Sequence, residues 1–131
     1  MVNNNVVRLI SPRNVAKTDG TWSQGVRKNN FIFISGQVPL DFEGNIIGKS
    51  NFELQAKQAL DNFISVLDEL GGKQENIMMI TVFLTNMKYR PLFAKIRENY
   101  FKKNPPASTV VEVTRLFMEE ILIEINGIAF L

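Results

Sequence analysis

The stretch SNFELQAKQALDNFISVLDELGG, residues 50–72, constrains the fold more than any other part of the chain. Phe52, Ala56, Ala59, Phe63, Val66 and Leu70 recur at helical spacing, which predicts an amphipathic helix with one continuous apolar stripe. Ser50 with Glu53 three residues on predicts a capping box at its start. Gly71-Gly72 predicts a left-handed stop at its end. A stripe of this length must be covered by a sheet or by other helices.

The flanking segments read mainly as strands. VVRLIS, residues 6–11, predicts a first strand, and SPRNVAKTDGTW a loop with Pro12 and an Asp19-Gly20 turn. WSQGVRKNNFIFISGQ predicts a hairpin of residues 22–27 and 31–35, turning near Asn29-Asn30 and ending at Gly36. VPLDFEGNIIGKS is a loop. After the helix, a continuous apolar run predicts a central strand over residues 77–84. KYRPLFAKIRENYFKKNPP predicts a second helix, with Pro91 in its first turn and Pro105-Pro106 beyond its end. STVVEV is a strand, TRLFMEE a connection and ILIEINGIAFL a last strand. The order β-β-β-α-β-α-β-β, undivided by any linker or repeat, predicts one domain over residues 1–131. Its class is α+β, a mostly antiparallel sheet with both helices on one face.

Alternation along the last strands separates two faces. Ile121, Ile123 and Ile125 share one, and Leu122, Glu124 and Asn126 the other. In STVVEV, Val111 and Val113 share a face, taken as the helix-covered one, leaving Ser108, Val110 and Glu112 on the opposite side. A half-polar face with apolar residues among the polar ones fits an oligomer interface, and a solvated surface equally well.

Composition removes several chemistries. The chain has no Cys and no His, so thiol nucleophiles, thiolate metal sites, His-based triads and the commonest zinc ligands are excluded. Carboxylates, hydroxyls, amides, Arg, Lys or a held water must do any catalysis. Net charge is only +2, and the longest basic cluster is Lys102-Lys103, so no stripe argues for a nucleic-acid partner. No apolar run is long enough to span a membrane. MVNNNVVRLI lacks a basic n-region and a long apolar h-region, so no signal peptide is read and the cytoplasm is the expected location.

The motifs WSQGV, FIFISGQVP, TVFLTNM, NPPASTVVEVTRL and IEINGIA, in this order and spacing, resemble the RidA (YjgF, reactive intermediate deaminase) family over about residues 22–129. The resemblance implies a chorismate-mutase-like fold and a homotrimer, with sheets forming a central barrel and small-molecule sites in clefts between subunits. It implies hydrolysis of enamines and imines, such as 2-aminoacrylate, to keto acids and ammonia without metal or cofactor. RNA cleavage is also assigned to the family. The chain departs from the pattern at two charged positions and, more mildly, at Trp22. Active members read Pro-Ala-Arg-Ser before the strand, and the Arg forks onto the substrate carboxylate. Here the stretch is Pro106-Ala107-Ser108-Thr109. The last strand of active members carries a second Glu that positions water, where this chain has Asn126. Losing a charge-assisted contact costs about 1.5–3 kcal/mol, roughly ten- to over a hundredfold in affinity.

Each candidate therefore has two readings. Ser108 and Thr109 face a ligand, or start a strand and bond local backbone. Asn126 lines the pocket, or pairs at an interface. Ser35, Gly36 and Gln37 present backbone donors to an acid, or form a tight bend. Trp22 replaces the family's usual Tyr as a pocket wall, or fills the core. Phe83 lies in the cleft, or in the core of a central strand. Val110, Glu112, Arg115 and Glu124 match positions at the trimer core, with Arg115 paired to a Glu across it or, alternatively, supplying the missing cation. Three functions stay open: an enamine or imine hydrolase with altered substrate, a non-catalytic ligand-binding or regulatory trimer, and, with least support, an endoribonuclease.

Overall fold

The computed structural model describes residues 5–131. The first four, part of the stretch read for a signal peptide, lie outside the described residues. The elements in chain order are β1 (Val6–Leu9), β2 (Gly25–Lys28), β3 (Phe31–Gln37), α1 (Phe52–Glu69), β4 (Ile77–Leu84), α2 (Arg90–Phe101), β5 (Ala107–Glu112) and β6 (Ile123–Phe130). They make one six-stranded mixed sheet, ordered β1-β2-β3-β6-β4-β5, with both helices on one face. Every neighbouring pair is antiparallel except β4–β5, which α2 connects in parallel.

α1 starts one residue later than the sequence suggests. Asn51, not Ser50, is the cap: its backbone is extended and its side chain accepts from Leu54 N at 3.1 Å. Ser50 sits at φ +60°, turning the chain into the helix. Glu53 pairs instead with Lys57 at 2.7 Å, one helical turn on. The stop is as expected, with Gly71 at φ +86°. Phe52, Ala56, Ala59, Leu60, Phe63, Val66 and Leu67 are all buried against the sheet. Gln55, on the same stripe, is also fully buried. Its amide donates to Gly48 O (3.2 Å) and Glu120 O (2.8 Å) and accepts from Leu122 N (2.8 Å). That one side chain ties α1 to the loop before it and to the connection that leads into β6.

The helix-covered face of the sheet consists of Ile32 and Ile34 on β3, Ile80, Val82 and Leu84 on β4, and Ile123, Ile125 and Ala129 on β6, all buried. At Gly127 helix and sheet approach closely. A Cβ there would lie 2.5 Å from Met79 O and 2.8 Å from the Phe63 ring.

β5 requires a correction. Its register pairs Ser108 with Ile80, Val110 with Val82 and Glu112 with Leu84. Those partners face the helices, so Ser108, Val110 and Glu112 do too, and Val110 packs against the core. The open face receives Ala107, Thr109 and Val111, the reverse of the sequence assignment. Both parities of STVVEV carry a Val, so alternation alone cannot choose, and the register with β4 decides. β3 also differs from expectation. It runs through Ser35 and Gly36 to Gln37 across an irregularity in its pairing with β6, and β2 begins at Gly25, leaving Trp22 in a loop.

Gly127→Ala is expected to lower unfolding free energy by about 1–3 kcal/mol, the usual cost of overpacking. Urea denaturation measures it, and an unchanged midpoint would show that α1 and the sheet part freely at this point.

Candidate functional site

The open face of the sheet carries a polar row across three strands. Thr109 pairs with Thr81, and Thr81 with Asn126, so the three share one face at successive strand spacings of about 4.8 Å. The next row is Val111, Phe83 and Glu124. Asn126 and Thr81 line a depression of about 280 Å³ with Phe33, Met79 and Ile128. Phe31, Phe33, Met79, Ile128 and Phe130 extend from it as an apolar area, each at least 36% exposed. Phe31 packs edge-on against Phe130 with ring centroids 5.0 Å apart.

Glu124 lies over Gly36, where any Cβ would collide with Glu124 Oε1. Half-buried among its neighbours, the Glu124 carboxyl has its pKa raised by desolvation. Glycine at position 36 is thus explained by a carboxylate passing over the backbone.

The other expected contacts of this segment are already used within the chain. Ser35 Oγ donates to Ser23 O at 2.6 Å, and Ser35 N to Gln24 O at 3.0 Å. Gln37 is buried, and its amide donates to Gln24 Oε1 (2.8 Å) and Ser35 O (3.1 Å). Ser35 and Gln37 therefore hold the β2–β3 ribbon to its loop. The backbone donor of Ser35 is not free for a bound acid. Trp22 is 46% exposed, so within one chain it fills no core.

Ser108 lies on the other side of the sheet from Asn126. Its Oγ accepts from Arg97 Nη1 of α2 at 3.3 Å. The two residues open onto a cavity of about 190 Å³ lined also by Ile80, Glu98, Phe101, Lys102, Pro105 and Pro106. Of the residues expected at the trimer core, Glu124 is on the open face. Val110 is partly buried and packs against the chain's own core, and Glu112 accepts from Met87 N at the end of the sheet. Arg115 is exposed in the loop after β5. Among the described residues, no group of three or more Asp or Glu is placed to hold a metal. No described helix is long and apolar enough to cross a membrane.

Sequence reasoning missed Arg97. The signal was available in Phe93, Arg97 and Phe101, which recur every four residues and so stack on one side of α2.

A mixed sheet with two helices on one face makes this an α+β protein, with polar rows beside aromatic residues on its open face and a small cavity at the start of β5. The chain belongs to the family described as Endoribonuclease L-PSP, whose model matches residues 13–131, within the YjgF/RidA/RutC superfamily. A RutC family protein of Pyrococcus horikoshii is 36% identical over 125 residues, 93% of this chain and 96% of that protein. One from Synechocystis sp. is 36% identical over 127 residues, covering 95% and 97%. The crystal structure of the YjgF gene product from E. coli superimposes with TM-score 0.84 at 30% identity, over 95% of this chain and 98% of that one. Yeast Mmf1 superimposes with TM-score 0.89 at 25% identity, over 96% and 98%.

The raised pKa of Glu124 has a definite sign. The folded state holds this proton more tightly than the unfolded chain, so ionisation destabilises the fold. The effect is absent below the ordinary glutamate range near about 4.3 and grows as pH rises through the raised value. Glu124→Gln, which keeps the shape, is expected to match the wild type in urea midpoint at about pH 3.5 and to exceed it at neutral pH. A difference that does not change with pH would remove the burial argument.

Proposed function

We propose that the chain acts as one domain over residues 1–131. Three copies assemble through their open sheet faces, bind a small molecule in clefts between subunits, and hydrolyse an enamine or imine in the cytoplasm. The observation that carries the reading is the open face itself. Phe31, Phe33, Met79, Ile128 and Phe130 form an exposed apolar area beside the Thr109–Thr81–Asn126 row. Apolar area of this kind marks an interaction surface. The family relationship supports a trimer as the assembly that covers it.

Imine hydrolysis needs little machinery. A protonated C=N adds water at carbon and loses a proton to give a carbinolamine, which then collapses to the carbonyl compound and ammonia. Hydroxyls and amides at Thr109, Thr81 and Asn126 can hold the water. Glu124, one row along the same face and with its pKa raised by burial, is placed to exchange the proton. Trp22 and Phe83 serve as apolar walls of the cleft. No metal or organic cofactor enters these steps.

Ser108 and Asn126 stand where active members carry Arg and Glu, which favours a second reading, a trimer that binds its ligand without turnover. RNA cleavage, the activity in the family's name, has less support here because the chain has no His and a net charge of only +2.

Light scattering at micromolar concentration is expected to give a trimer, and Phe33→Asp a monomer. A monomeric wild type would remove the inter-subunit site. In the trimer, ammonia release from enzymatically generated imines is expected above the uncatalysed rate. Turnover of 2-aminoacrylate is expected to fall well below that of an arginine-containing relative. No release from any imine tested would leave the non-catalytic reading in its place.

A further inference from the structure

We infer that Arg97 is the ligand-recognising cation of this chain, and that the cavity it shares with Ser108 takes a small planar monocarboxylate with an apolar substituent. The inference rests on the proposed reading that the Ser108 turn borders a small-molecule site. It goes beyond that reading in naming what this end of the site recognises and the residue that does so.

Four observations support it. First, Arg97 is held in place. Phe93 and Phe101, one turn before and one turn after it, are buried, and its Cζ lies 5.8 Å from the Phe93 ring centroid. Second, its hydrogen-bonding capacity is mostly unspent. Of five N–H donors, one reaches Ser108 Oγ at a long 3.3 Å, and none of the three ion pairs among the described residues involves Arg97. A planar fork of donors next to a hydroxyl suits a carboxylate, one oxygen on the guanidinium and one within reach of Ser108. Third, the local charge suits a single negative charge. Arg97 and Lys102 face the cavity with Glu98, two cations against one anion. A dianion would leave one charge uncompensated, and a cationic ligand would meet net repulsion. Fourth, the remaining wall is apolar: Ile80, Phe101, Pro105 and Pro106. At about 190 Å³ the cavity is below the usual range for drug-sized ligands, about 300–1,000 Å³.

Arg97 approaches from a helix rather than from the first residues of β5. The carboxylate is therefore held nearer α2 than a side chain at position 108 would hold it. Binding of a carboxylate can then persist while hydrolysis of an imino acid placed for the other geometry is slow.

Titration of the full-length protein with pyruvate and its neutral analogue pyruvamide, followed by calorimetry or by NMR shifts, tests this. Pyruvate is expected to bind, and pyruvamide to bind about tenfold or more weakly. Arg97→Gln is expected to lose at least about tenfold for pyruvate and little for pyruvamide. Arg97→Lys should recover only part of the loss, because an ammonium has no planar set of donors to hold one carboxylate oxygen while keeping the other beside the Ser108 hydroxyl. The comparison of pyruvate with pyruvamide uses the wild-type protein, so it holds whether or not the variants fold. Three results would each overturn the inference: no pyruvate binding, equal affinity for pyruvate and pyruvamide, or an Arg97→Gln protein that binds pyruvate as the wild type does. Inorganic phosphate binding as tightly as pyruvate would also overturn it, because the site would then be a generic anion site. The outcome is separable from that of the hydrolase reading. Arg97-dependent pyruvate binding without imine turnover keeps this inference and removes that activity. Imine turnover with KM unchanged in Arg97→Gln does the reverse.

Discussion

The close approach of α1 to the sheet is the constraint on which the rest of the molecule depends. At Gly127 the helix brings the Phe63 ring to where a Cβ would have to go, and at Gly25 it does the same with Val66 and Leu70. Side chains at those two points would lift the helix off the strands. Without them, the apolar stripe of α1 buries directly on Ile32, Ile34, Ile123, Ile125 and Ala129. Burial at roughly 25 cal/mol per Å² of apolar surface makes this layer the main source of stability. Both described α-helices are used on one side of the sheet.

The other side consequently has no cover among the described residues, and its composition shows two demands at once. Phe31, Phe33, Ile128 and Phe130 need to leave water, and Thr81, Thr109, Asn126 and Glu124 need hydrogen-bonding partners. A surface meeting only solvent has no use for the aromatics, and a dry core has no use for the Glu. Glu124 shows the balance in a single group: half-buried over Gly36, it pays a desolvation penalty that raises its pKa.

Ser108 and Asn126, which the resemblance joins in one site, lie on opposite faces within a single chain. β5 is an edge strand, so Ser108 is close to the border of the sheet even though its side chain is turned to the helix side. The group that meets it comes from α2, as the Arg97–Ser108 contact shows. Polarity at this turn is thus set by a helix residue as well as by the strand.

Much of the architecture was legible in the sequence. The 3.6-residue stripe from Phe52 to Leu70 marked α1, the apolar run near Ile77 to Leu84 marked β4, and Ile121, Ile123 and Ile125 marked the buried side of the last strand. These readings held because each rests on local periodicity with apolar residues on one side only. Local pattern failed where it was degenerate. In STVVEV a Val occurs in both parities, and only pairing with β4, residues 77–84, determines which one faces the helices. The cap of α1 moved from Ser50 to Asn51 because the chain turns at φ +60° at Ser50, a geometry that Ser-x-x-Glu spacing does not encode. The site was less legible than the fold. Residue types at 36, 108 and 126 could be read along the chain, but Glu124 over Gly36 is a contact between β6 and β3, and Arg97 beside Ser108 one between α2 and β5, which only the fold brings together. Sequence by itself determined which segments become helix and strand, since that depends on spacing within a few residues. Tertiary structure alone decided which polar groups meet, since that depends on register across strands and on how closely a helix can lie upon them.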